Sequence, residues 1–223
     1  MVSLTKECER LKKGWRAMRL YRRCVRPGQL CFDIGANRGS RAVIFTFLGA
    51  RTIAVEPNET LTGKLRRFPR VTVVNQAISD QSGQQTMLFN RNDQISSLNP
   101  EWRKNWPEFS DWFERVVECV TLDQLIAQYG LPDFCKIDVE GYEESVLAGL
   151  TRPIPLLSFE ATPGYESTTE ACLASLSKLG DYEFNFAVGD DFQWLCPDWV
   201  TAKMVASLVS NQAGDIYARL KKH

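Results

Sequence analysis

One feature limits the fold of this chain more than any other: short apolar runs alternate with helix-length segments, and the first two runs end in acids. Residues 29–34 form such a run and carry Asp33; the loop 35–39, bounded by Gly35 and Gly39, follows, and residues 40–48 have the composition of a buried helix. A second run, 51–55, ends in Glu56-Pro57; residues 59–68 read as a helix and 71–78 as a third strand rich in β-branched side chains. Alternation at this pitch implies right-handed β-α-β crossovers and a largely parallel sheet. The pattern returns with a helix at 122–129, a fourth strand at 134–139, a helix at 143–150 and a fifth strand at 155–159 that ends at Glu160. Beyond it, 168–179 is helical, 182–188 and 192–195 read as strands, 199–208 as a helix and 215–220 as a closing strand. The expectation is one doubly wound α/β domain with helices on both faces.

Two segments stand apart. At the amino terminus Leu4, Cys8, Leu11, Trp15, Met18 and Val25 recur at three- and four-residue steps among lysines and arginines, until Pro27-Gly28 stops the pattern. This predicts a basic amphipathic helix over 1–26, with the domain proper over 27–223. The second segment, about 99–115, gathers Trp102, Trp106, Phe109, Trp112 and Phe113 at roughly helical spacing interrupted by Pro107. It reads as an aromatic insertion between a strand at 85–89 with its polar loop 90–98 and the helix at 122.

Lys plus Arg number 27 and Asp plus Glu number 27, which argues against a nucleic-acid coat protein. The balance is uneven, since nine basic residues fall within the first thirty against Glu7 and Glu9. Seven scattered cysteines without a C-x-x-C pair indicate neither a disulfide framework nor a zinc knuckle, so a cytoplasmic location is expected. The longest apolar stretch, 42–50, is far below the ~20 residues of a membrane span, and no apolar signal core is expected in the first thirty. The sole histidine is His223, which leaves a general base to be found among carboxylates and lysines.

Asp33, the glycines of the loop and Glu56 about 20 residues on follow the logic of a nucleotide pocket, in which Glu56 accepts both ribose hydroxyls. The spacing is G-x-x-x-G, so the pyrophosphate turn of a dinucleotide site is not reproduced and a nucleoside without phosphates is favoured. An adenosine carrying an amino acid fits, with Asp33 and the loop near its amino-acid portion; the plainer alternative is that the glycines serve only a tight turn. In Lys136-Ile137-Asp138-Val139-Glu140-Gly141, strand alternation puts Lys136, Asp138 and Glu140 on one parity. Charge at the carboxyl end of a parallel strand sits where ligands bind, or else forms a pair that orders the loop.

The succession D-I-G-A-N-R-G (33–39), V-E-P-N (55–58), A-I-S-D-Q-S-G (77–83), S-S-L (96–98), T-L-D-Q-L (121–125) and K-I-D-V-E-G-Y-E (136–143) resembles the FkbM-type methyltransferases, class I enzymes that use S-adenosylmethionine. The resemblance implies a Rossmann-like, seven-stranded, mostly parallel sheet with an antiparallel last strand. It implies S-adenosylmethionine as cofactor, with Asp33, Gly35, Ala36, Asn37 and Gly39 around the methionine, Glu56, Pro57 and Asn58 at the ribose, and Ala77 and Ile78 at the adenine edge. Asp138, Glu140 and Gly141 complete the expected cofactor contacts. The implied reaction is O-methylation of a hydroxyl on a sugar or other small secondary metabolite, with Ser96, Ser97, Trp102, Trp106 and Trp112 on the acceptor side unless the aromatic stripe is core. Asp138 is the first candidate base, Glu160 the second, and Lys136 completes the catalytic set. Mg²⁺ held by Asp138 and Glu160 is possible but no dedicated metal motif indicates it, and no residue is assigned to a metal. The rivals are an RNA methyltransferase, suggested by the basic helix and opposed by the neutral overall charge, and a binding module that kept the fold without catalysis.

Overall fold

The computed structural model of the chain describes residues 4–91, 95–209 and 212–221. His223 lies outside them. In chain order the strands are β1 (Leu30–Ile34), β2 (Arg51–Val55), β3 (Val71–Val74), β4 (Ala77–Ile78), β5 (Gly83–Asn90), β6 (Trp112–Val120), β7 (Phe134–Ile137), β8 (Leu156–Ala161), β9 (Tyr182–Val188) and β10 (Gly214–Leu220). The helices are α1 (Leu4–Tyr21), α2 (Ser40–Phe47), α3 (Glu59–Thr62), α4 (Leu122–Tyr129), α5 (Glu143–Ala148), α6 (Glu166–Leu179) and α7 (Ala202–Val209).

Seven strands form one sheet in the order β3-β2-β1-β7-β8-β10-β9, and β10 runs antiparallel to both of its neighbours. All residues of β1 and β7 are buried, as strands covered on both faces must be. One face packs a core that includes Leu122, Leu125, Val146, Leu147, Leu173 and Leu176 from α4, α5 and α6. The other packs α1 and α2, with Tyr21, Phe45 and Phe134 meeting edge to face at 5.0 and 5.5 Å. Chain order reverses between β1 and β7, so a crevice opens at the carboxyl edge of these central strands.

Several local expectations change. The run 71–78 splits, because β4 leaves the main sheet to pair with β6 in a second sheet of order β4-β6-β5. The helix expected over 59–68 is only α3 followed by a 3-10 turn, Leu65–Arg67. Residues 192–195 form no strand, only a bridge from Trp194 to Ala187. The aromatic segment, despite its roughly helical spacing, forms no α-helix. It is a 3-10 turn, Trp102–Asn105, followed by β6, where Phe113 lies opposite Phe89 and stacks on it at 5.7 Å. Pro107 breaks the helical pattern, and cross-strand pairing with β5 decides the rest. In α1, Leu11 and Trp15 are 60% and 70% exposed, while the helix docks through Ala17, Leu20 and Tyr21.

Candidate functional site

A cavity of about 650 Å³ lies along the carboxyl ends of β2, β1, β7 and β8. Its β1 side depends on close backbone approach. Gly35 has φ +75°, and a Cβ there would stand 1.8 Å from the Asp138 carbonyl oxygen, so any side chain would separate β1 from β7. Its β2 side is set by Glu56, whose carboxylate accepts the Asn37 N–H at 2.9 Å and the Asn58 N–H at 2.8 Å. Two backbone donors fix the carboxylate at the wall of the cavity. Asp33 also lines it, is 1% exposed, and leaves Oδ2 buried without a hydrogen-bond partner. Burial pushes its pKa up to about 6 against the pull of Lys136. A buried acceptor of that kind fits the ammonium of an amino acid, and Glu56 fits a ribose diol, so the residues suit S-adenosylmethionine.

The β7 and β8 side is different. Asp138, Glu140 and Glu160 offer carboxylate oxygens within 4.8 Å of one another, a cluster that could hold a cation. Lys136, 1% exposed, donates to Asp138 at 2.8 Å and to Asp215 at 3.2 Å. Burial raises the pKa of Asp138, but the Lys136 ammonium outweighs it and holds the carboxyl below its ordinary value. Glu140 and Glu160 go the other way. Burial, then Glu160 and Asp138, push Glu140 up to about 10; burial, then Asp138 and Glu143, raise Glu160 well above the usual range. Glu160 Oε2 is buried with no hydrogen-bond partner. Glu140 sits at φ +58°, a left-handed conformation that costs a non-glycine residue about 1–2 kcal/mol. Glu143 holds the turn by accepting the N–H groups of Val139 and Gly141 at 3.1 and 3.4 Å.

Among the residues singled out in the sequence, the cavity is lined by Asp33, Gly35, Ala36, Asn37, Glu56, Pro57, Asn58, Ala77, Ile78, Ser96, Trp106, Asp138, Glu140 and Glu160. Six do not line it. Gly39 serves packing, since a Cβ there would come within 2.1 Å of Leu65, and Gly141 lies against the Trp102 ring. Ser97 is buried and accepts the Asn99 N–H at 2.9 Å. Lys136 acts from behind Asp138. Trp102 is 1% exposed and packs against Tyr165 at 5.2 Å, and Trp112 donates its indole N–H to the Phe109 carbonyl at 2.9 Å. The sequence reading missed Arg41, Tyr142 and Lys13, which also line the cavity. Tyr142 stands inside a quoted motif, and Arg41 opens α2 directly behind the glycine loop. Lys13 arrives from α1 and carries no local signal.

The Methyltransferase FkbM domain model matches residues 33–180. No curated protein sequence matches the chain. Among solved structures, precorrin-6y C5,15-methyltransferase from Geobacter metallireducens GS-15 superposes with a TM-score of 0.51 at 14% identity, covering 92% of this chain and 87% of that one. The precorrin 8w decarboxylase of Methanobacterium thermoautotrophicum gives 0.47 at 14% identity over 94% and 90%. A SAM-dependent O-methyltransferase from Thermotoga maritima gives 0.44 at 12% identity over 95% and 66%. At such identities the likeness is one of fold. The matched segment runs from Asp33 through both ends of the cavity, and with the donor pocket described above it means that this chain belongs to the FkbM methyltransferase family and takes S-adenosylmethionine as its cofactor.

Proposed function

We propose that the chain methylates a hydroxyl oxygen of a sugar or other small secondary metabolite. The observation that carries this reading is the group of three carboxylates, Asp138, Glu140 and Glu160, at one side of the cavity whose other side holds Glu56 and Asp33. S-adenosylmethionine supplies an electrophilic methyl on a sulfonium. An attacking hydroxyl must shed its proton, and no histidine lies among the described residues to take it. Glu160 is the better acceptor. Its Oε2 is buried without a hydrogen-bond partner and free to take a proton, whereas Asp138 is committed to Lys136. This reverses the order expected from the sequence and leaves Asp138 to orient the acceptor. Trp106, Met87, Ile95 and Leu98 supply apolar wall, and an aromatic face suits a sugar ring while keeping water out.

A cation in the carboxylate group would offset the same charge, and Mg²⁺ is the oxygen-loving candidate. The test is transfer of labelled methyl from S-adenosylmethionine to a panel of sugars, polyols, amines and RNA. Label appearing as an ether on a hydroxylated small molecule supports the reading. Transfer to amines or RNA alone would replace it.

A further inference from the structure

α1 carries two opposed faces, and only one of them belongs to the domain. Ala17, Leu20 and Tyr21 are buried against Phe45, Phe134 and Tyr217. Leu11 and Trp15, four residues apart and therefore on one face, are 60% and 70% exposed. Trp15 is two residues from Ala17, roughly half a helical turn, so the exposed face points away from the body. Exposed Lys12, Arg16 and Arg19 flank it, against Glu9, which pairs with Lys12 at 2.9 Å.

One exposed Leu would be ordinary, but Leu11 and Trp15 together make an outward apolar strip, and a nucleic-acid surface calls for the charges without the aliphatic side chain. An outward apolar strip with a large indole, flanked by lysines and arginines, is the pattern of a helix lying in the plane of a membrane interface. Anionic lipid complements the charge, and the interface takes up the indole and the leucine. We propose that α1 docks the protein on an anionic lipid bilayer through Leu11 and Trp15, with Arg16 and Arg19 on phosphate headgroups. No described helix is long and apolar enough to cross a membrane, so this contact is peripheral. Lys13, two residues before Trp15 and so on the opposite face, lines the cavity. The cavity and the bilayer thus share one helix.

Co-sedimentation of the whole chain with vesicles of phosphatidylcholine, and of phosphatidylcholine mixed with phosphatidylglycerol, tests the proposal. Binding should be confined to the anionic vesicles and fall in high salt. Arg16→Gln with Arg19→Gln should lower partitioning about 30-fold, at about 1 kcal/mol for each basic side chain. Trp15→Ser should lower it about tenfold or more. Circular dichroism and binding of S-adenosylhomocysteine should be unchanged in both variants. Equal binding to neutral vesicles, no binding to either, or variants that bind like the wild type would overturn the proposal. So would a dimer in solution that Trp15→Ser dissociates, which would give the face to a second copy.

Discussion

The two sides of the cavity handle buried acid in opposite ways. On the β1 and β2 side, Glu56 is held by two backbone N–H groups of the loops that follow its own strand and its neighbour. On the β7 and β8 side, Asp138, Glu140 and Glu160 crowd within 4.8 Å, with Lys136 bound to Asp138 and with Glu160 Oε2 left unsatisfied. On the first side Glu56 is fixed before any ligand arrives and Asp33 Oδ2 is left open beside it, which suits a site that recognises one fixed cofactor. The second is electrostatically incomplete, which suits a site that moves a proton.

The sharpest break of that contrast is Glu160→Gln. It should lower kcat by about 10²- to 10⁴-fold while titration calorimetry finds affinity for S-adenosylhomocysteine unchanged. If Asp138→Asn takes the loss and Glu160→Gln does not, the two carboxylates exchange roles. A loss on EDTA treatment that Mg²⁺ restores would assign the cluster to a cation instead.

Next in size is the pair of tryptophans that the sequence treated alike. Trp102→Ala should cost about 3–5 kcal/mol of unfolding free energy in urea titrations, because it empties a site packed between Gly141 and Tyr165. Trp106→Ala should leave stability nearly intact and raise KM for the acceptor. Equal destabilisation by both would return the whole segment to the core.

On the cofactor side, Glu56→Ala should weaken S-adenosylhomocysteine binding by about 1.5–3 kcal/mol, the scale of a hydrogen bond to a charged group. Calorimetry showing no change would remove Glu56 from the ribose.

The smallest effect is a tilt of stability with pH. Burial is the leading cause that raises Asp33 to about 6, Glu143 to about 7 and Glu140 to about 10. Above their ordinary values the folded chain therefore binds more protons than the unfolded one, so unfolding free energy falls as pH rises. Without cofactor, Tm should drop between pH 5 and 8, and Glu140→Gln should flatten that slope. A Tm that rises over this range would show the cluster to be neutralised by something other than protons.

Much of this was legible in the chain itself. Parallel strands buried on both faces are mostly apolar, so β1, β2, β7 and β8 announce themselves, and the carboxyl ends where Asp33, Glu56, Asp138 and Glu160 stand follow from chain direction alone. The parity of Lys136 and Asp138 is likewise local, and the structure joins them at 2.8 Å. The structure of the aromatic segment was not legible, because Trp102, Trp106, Phe109 and Phe113 carry roughly helical spacing by coincidence, and the pairing of Phe113 with Phe89 lies more than twenty residues away. Periodicity can find an apolar side chain in α1 but cannot say which face a distant surface will cover; Ala17 is buried and Trp15 is not.

The sequence by itself determined the alternating architecture, the glycine loop and the acids at the strand ends, since each depends on residues within one strand, loop and helix. Tertiary structure alone decided that Glu160 has no partner for Oε2, that Lys136 is spent on Asp138 and Asp215, and that Lys13 reaches the cavity. Those are distances between groups far apart in the chain, and proton affinity depends on such distances and on burial, neither of which a single sequence encodes locally.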